Sequence, residues 1–173
     1  MIRLFVVLAL LGGVAHAETI VSLPNSKATL TLPDGWNRVK HSFKGVVEIF
    51  KHDNGATLVV TRADVPNPDA WISDKKQAYV DKVESGIKAG VPGYKRRAKK
   101  IVDANGVPAL DLETKRDGGS TIVVRVLLFR TYSVSAAIEV PKGVDVAAAR
   151  VVVKTFAPPK EPKPEPAPTK KAG

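Results

Sequence analysis

The sequence predicts an α+β fold, an antiparallel β-sheet of about six or seven strands flanked by helices on both faces. Three observations carry this. Thr121–Phe129 (TIVVRVLLF) is apolar on both sides, the pattern of a strand covered on both faces. Short alternating segments joined by turn signals read as antiparallel neighbours. Two segments with helical apolar spacing, one in mid-chain and one near residue 150, supply the covers.

Lys27–Leu32 alternates, with Ala28, Leu30 and Leu32 on one face, and Pro33–Trp36 (PDGW) follows as a turn. Val46–Lys51 reads as a strand, His52–Gly55 (HDNG) as a turn, and Thr57–Arg62 as the returning strand. Asn67-Pro68-Asp69 predicts a helix start, with Asn as N-cap and Pro at the first helical position. Ile72, Tyr79, Val83 and Ile87 then recur at helical spacing up to Gly90, and Pro92 acts as a stop. Three or four strands follow, ending near Val140. A last helix, from about Asp145 to Phe156, turns Val146, Ala149, Val153 and Phe156 inward.

The two ends stand apart from this core. Met1-Ile2-Arg3 is a short positive region, Leu4–Val14 is apolar, and Ala15-His16-Ala17 has the small-x-small form of a cleavage site. Residues 1–17 therefore read as a cleavable signal peptide, and the apolar run is shorter than the ~20 residues a membrane span needs. The expected destination is the periplasm or the exterior, with no transmembrane segment after cleavage. Residues 157–173 (APPKEPKPEPAPTKKAG) alternate proline with Lys and Glu and read as an extended, disordered tail. The expected globular domain is thus 18–156. The chain has no cysteine, which excludes disulfides, thiolate metal sites and a lipid-modified cysteine. Its formal charge is +10, which favours acidic partners. After export those are an acidic protein or an envelope polyanion, with no specific nucleic acid expected.

LPDGW (Leu32–Trp36) after the first strand, the helix after the third, NGVPAL (Asn105–Leu110) in a later hairpin and the closing helix together resemble the PsbP-like superfamily. That group includes photosystem extrinsic PsbP proteins, Ran-binding Mog proteins and many exported bacterial domains. The resemblance spans about residues 22 to 157. It implies an α/β/α arrangement and no enzymatic activity. Its matching motifs are structural, and nothing in the chain matches a metal-binding or Ran-binding signature.

Five of the six residues from Lys95 to Lys100 are cationic. Strand register decides how many stay unneutralised. Asn105-Gly106 is a strong two-residue hairpin signal. A turn centred there sets Ile101 opposite Leu110, Lys100 opposite Asp111, Ala98 opposite Glu113 and Arg97 opposite Thr114. A three-residue turn at Asp117-Gly118-Gly119 sets Asp111 opposite Arg125 and aligns Leu110, Leu112 and Thr114 with Val126, Val124 and Ile122. That register keeps one face apolar. Lys100 and Arg125 then flank Asp111 as structural partners. Continuing the ladder outward sets Arg96 opposite Lys115 and Lys95 opposite Arg116, which is unfavourable for like charges. Lys95, Arg96, Arg97, Lys115 and Arg116 accordingly form a candidate anion-binding cluster, set against the plainer reading of a strand edge protected by cations.

Other chemistry is sparse. His41 and His52 sit in or near turns without metal-ligand partners. There is no Gly-rich phosphate loop and no G-x-S-x-G nucleophile. Asp111, Glu113 and Glu139 could share a sheet face, but carboxylates balanced by cations are usually structural. No catalytic residue, metal or cofactor is implied. The expected function is an exported, non-enzymatic binding or assembly domain that docks an anionic envelope component through the basic cluster. The alternative is a carrier or sensor of a small apolar or lipid-like ligand held between sheet and helix near Trp36 and Trp71.

Overall fold

The computed structural model describes residues 18–24, 26–64 and 76–160. Among these residues nine strands and two helices run in the order β1 (Thr19–Ser22), β2 (Thr29–Leu32), β3 (Trp36–Arg38), β4 (Val46–His52), β5 (Thr57–Asp64), α1 (Lys76–Gly90), β6 (Lys95–Ala104), β7 (Val107–Lys115), β8 (Thr121–Leu128), β9 (Tyr132–Val140) and α2 (Ala147–Thr155). Seven strands form one antiparallel sheet in the order β3-β4-β5-β9-β8-β7-β6, and β1-β2 form a separate hairpin.

The sheet has two covered faces. Leu110, Leu112, Ile122, Val124, Val126 and Leu128 pack under Val80 of α1, with Tyr79, Val83 and Ile87 around it; this is the α1 face. Ala109, Val123, Leu127, Val134, Ala136 and Ile138 pack on the other side with Ala149, Val152 and Val153 of α2, with Phe156 directly after it and with Leu30 of the hairpin; this is the α2 face. Every residue of β8 is buried, as its two-sided apolar pattern requires. Sheet, helices on both faces and the interior position of β8 agree with the sequence reading. The helix start expected at Asn67, and Ile72, lie outside the described residues.

Two elements were not legible beforehand. β1 pairs with β2, and β3 forms directly after the Pro33–Gly35 turn and pairs with β4, from Trp36 opposite His52 to Arg38 opposite Phe50. The last helix is shorter than expected, and the Asp145 carboxylate accepts the backbone N–H of Ala147 at its start. Backbone pairing also runs past the expected boundary at Phe156. Ala157 exchanges hydrogen bonds with Thr29, and the Pro158 carbonyl accepts one from Asn105.

The two hairpin turns behave as their residues demand. Asn105 and Gly106 both have positive φ (55° and 85°), the geometry that a two-residue primed turn requires. The Asp117–Gly119 loop closes with the Arg116 N–H donating to the Ser120 carbonyl. Between β7 and β8 the register is the expected one: Leu110, Leu112 and Thr114 oppose Val126, Val124 and Ile122, and Asp111 opposes Arg125.

That last pair ties the sheet to α2. Arg125 is 7% exposed, so its charge needs partners. Its Nε and Nη2 donate to the two Asp111 carboxylate oxygens at 2.6 and 2.7 Å, and its Nη1 donates to the Lys154 carbonyl at 2.7 Å. One buried guanidinium thus joins two strands and the last turn of the helix. Lys100 does oppose Asp111 across β6 and β7, but the carboxylate is taken by Arg125.

Candidate anion-binding site

β6 is an edge strand, so its basic residues have one strand neighbour and open solvent on the other side. From Ala104 to Ala98 the β6–β7 ladder follows the expected register. It then shifts: Ala98 opposes Glu113, but Arg96 opposes Thr114 and Lys95 opposes Lys115. Arg97 is the extra residue of a β-bulge. The expected pairs Arg97–Thr114, Arg96–Lys115 and Lys95–Arg116 do not form, because a bulge inserts one unpaired residue and moves everything beyond it to the other face. No residue type marks this bulge in advance; it is an arginine between an arginine and an alanine.

The bulge sorts the cations by face. Arg96, now opposite buried Thr114, points to the α1 face and meets Glu84 of α1 at 3.0 Å. Lys99, opposite Leu112, points the same way and reaches Asp81 and Glu84, each at 2.7 Å. The Tyr94 hydroxyl also donates to Glu84, at 2.8 Å. The hydrogen bond from Lys99, helped by Tyr94 and Arg96, holds the Glu84 carboxyl down to about 2 against the opposing effect of partial burial. Burial, then the adjacent Glu84, pushes the Tyr94 phenol up to about 12. Arg116 is also neutralised, by Glu139 at 3.0 Å. Glu139 opposes Ile122 and so lies on the α1 face, opposite to Asp111 and Glu113; the three carboxylates do not share a face, and each holds an arginine.

The α2 face is different. Lys95 and Lys115 stand directly opposite each other there, and neither they nor Arg97 has an ion-pair partner among the described residues. Arg97 and Lys115 line an open hollow of about 400 Å3, together with Glu113, Thr121, Lys142 and Arg150. Arg150, on the first turn of α2, grips Glu113 through both carboxylate oxygens at 2.8 and 3.0 Å. Arg150, with a smaller contribution from Arg97, holds the Glu113 carboxyl below its usual range. Lys142 and Arg150 were not among the sequence candidates. They lie 27 and 35 residues beyond Lys115 in the chain, and only the fold brings them to it.

So the five predicted cations divide. Arg96 and Arg116 are paired on the α1 face; Lys95, Arg97 and Lys115 remain on the α2 face, where two new cations join them. The apolar alternative has a narrower setting. The hollow beside Trp36, bounded by His52, Val140 and Val152, is about 80 Å3, well under the roughly 300 Å3 of ordinary small-molecule pockets. Trp71 lies outside the described residues. Among the described residues no group of three His, Asp or Glu side chains is placed to hold a metal ion, and no helix is long and apolar enough to cross a membrane.

No protein-family model and no curated protein matches the sequence. Solved structures do. The solution structure of the cyanobacterial PsbP protein CyanoP from Synechocystis matches 84% of this chain and 94% of its own, with a TM-score of 0.58 at 16% identity. The chain has a PsbP-like fold. At this identity the likeness concerns the fold alone. Protein PA94 of unknown function from Pseudomonas aeruginosa (16% identity, 78% of this chain and 89% of its own, TM-score 0.41) is more distant. A Bacteroides thetaiotaomicron protein (13% identity, 78% of this chain and 46% of its own, TM-score 0.45) is too. Neither score is high enough to support an argument. Within the PsbP-like fold, the basic edge strand and the hollow beside it are features read from this chain's own residues.

Proposed function

We propose that this PsbP-like chain is an exported, non-enzymatic binding domain that docks an anionic envelope component at the outer end of β6 and β7. The observation that carries it is the facing of Lys95 and Lys115. Two like charges placed directly opposite are unfavourable, and Arg97 adds a third cation at the same end with no ion-pair partner among the described residues. A strand edge needs cations for protection, but it does not need them directly opposed on neighbouring strands. An anion placed between them removes the repulsion. Export rests on Met1–Ala17, and N-terminal sequencing of the mature protein should begin at Glu18.

The test is retention on immobilised heparin and on lipopolysaccharide at increasing salt. Charge-driven binding releases counterions, so affinity falls with salt at a slope set by the number of charges engaged. Changing Lys95, Arg97 and Lys115 to Gln should lower affinity and flatten the slope. A control changing Lys82, Lys88 and Lys154 to Gln carries the same net charge and should retain binding. Equal elution of the two variants would reject a local site and leave the cations as edge protection.

A further inference from the structure

We infer that the hollow on the α2 face takes a phosphate monoester, with Arg150 and Lys142 as binding residues and Glu113 as an internal competitor; this rests on the anion-docking reading above and gives it a ligand class. Four cations, Arg97, Lys115, Lys142 and Arg150, surround the hollow with one carboxylate among them. The excess of positive charge suits a dianion better than a monoanion. Both Arg97 and Arg150 carry planar forks that match phosphate oxygens.

Glu113 sharpens the choice. It occupies the Arg150 fork in the free protein at 2.8 and 3.0 Å. A ligand carboxylate or sulfate ester carries a single charge. Taking Arg150 from Glu113, it would exchange one monoanion for another and leave Glu113 facing it unpaired. A phosphate monoester carries about −1.5 to −2 at neutral pH. It can hold Arg150 together with Arg97, Lys115 and Lys142 and still gain. The volume of about 400 Å3 fits a phosphorylated sugar or a lipid headgroup, both within the usual pocket range. The fold also positions Lys142 for this. Its side chain lies across Gly119 (φ +86°), where an added Cβ would come within 3.1 Å of the lysine Cδ.

The experiment is calorimetric titration of the full mature chain with glucose 1-phosphate, with glucuronate as the monoanionic carboxylate control. Vesicles of phosphatidylcholine containing phosphatidic acid form a second arm. Binding of the soluble sugar phosphate identifies a saccharide source; binding of the vesicles alone identifies a lipid headgroup; either supports the monoester site. Arg150→Gln should weaken phosphate binding about tenfold, the loss expected for a charge-assisted fork. Glu113→Gln removes the competitor and should tighten it by roughly three- to tenfold, a gain that a merely structural ion pair would not produce. Among the described residues no histidine lines the hollow, so the ligand's own second ionisation near pH 6 should govern the pH dependence, with affinity rising from about pH 5 to about pH 7.5. Two results overturn the inference: glucuronate binding as tightly as the phosphate, or Arg150→Gln and Glu113→Gln both binding as the parent does. If heparin retention still depends on Lys95, Arg97 and Lys115 while both of these variants are silent, the docking reading survives and the phosphate site does not. If heparin retention is also indifferent to those three cations, both fall.

Discussion

On the α1 face of β6, Arg96 and Lys99 are held by Glu84 and Asp81, carboxylates contributed by a helix. On the α2 face, Lys95 and Arg97 of the same strand, with Lys115 beside them, have no ion-pair partner among the described residues, and the nearby Glu113 is gripped by Arg150. The two groups are interleaved within five consecutive residues. What separates them is the pleat, which sends alternate side chains to opposite faces, and a one-residue bulge, which reverses the alternation beyond Ala98. A run of like charges in a sequence therefore carries little information about which charges are free. The answer depends on what each face packs against.

The strongest way to probe the comparison is through Arg125, a buried cation on the α2 face. Arg125→Ala leaves Asp111 half-buried without its partner and strips a donor from the Lys154 carbonyl. Breaking such a pair from one side costs about 3–5 kcal/mol, so urea denaturation should show a large drop in midpoint. The double change Asp111→Asn with Arg125→Met should recover part of it, because no uncompensated charge remains. A small effect of the single change would mean that this face tolerates unpaired charge, and the special status of Lys95, Arg97 and Lys115 would lapse.

A medium effect is expected on the other face. Glu84→Gln removes the hub that Lys99, Tyr94 and Arg96 share. The network is open to water at Arg96, so the cost at neutral pH should be about 1 kcal/mol. Its pH signature is more informative. Because the Glu84 carboxyl lies at about 2 in the folded protein and near 4.5 ordinarily, its contribution is complete above 4.5 and is lost as pH falls through that window towards 2. Thermal melts should show wild type and Glu84→Gln converging as the pH drops through this range. Parallel curves would show that the clamp is not what orders the α1 face.

The smallest effect has the opposite sign. Lys115→Glu replaces a like-charge pair with an attractive one across from Lys95, and should raise stability by roughly 0.2–1 kcal/mol. The same change should weaken heparin retention, since it removes one of the three unpaired cations and adds an anion. A variant that is both more stable and a poorer binder is the signature of a site kept at a cost to the fold. If stability falls instead, the Lys95–Lys115 facing is not strained and the comparison loses its basis.

Much of this molecule was readable from local sequence, for identifiable reasons. The two-sided apolar run of β8 required a covered strand. Asn105-Gly106 and the Asp117–Gly119 loop admit few turn geometries, and the demand for one apolar face then determined the β7–β8 register down to Asp111 opposite Arg125. Those are short-range or strongly patterned signals, each satisfied within a hairpin. The strands β1 and β3 gave weaker signals because β1 buries only one of its four residues and β3 is three residues long with none fully buried. Tertiary structure alone decided the rest. The bulge at Arg97 has no sequence signature, since an arginine between an arginine and an alanine demands no special backbone geometry. The carboxylates that neutralise Arg96 and Lys99 come from a helix packed across the sheet, and Lys142 and Arg150 reach Lys115 only after β9 and α2 have folded over the α2 face. Local chemistry specifies which residues can pair, whereas long-range packing specifies which of them meet, and the charge state of an edge strand belongs to the second kind of information.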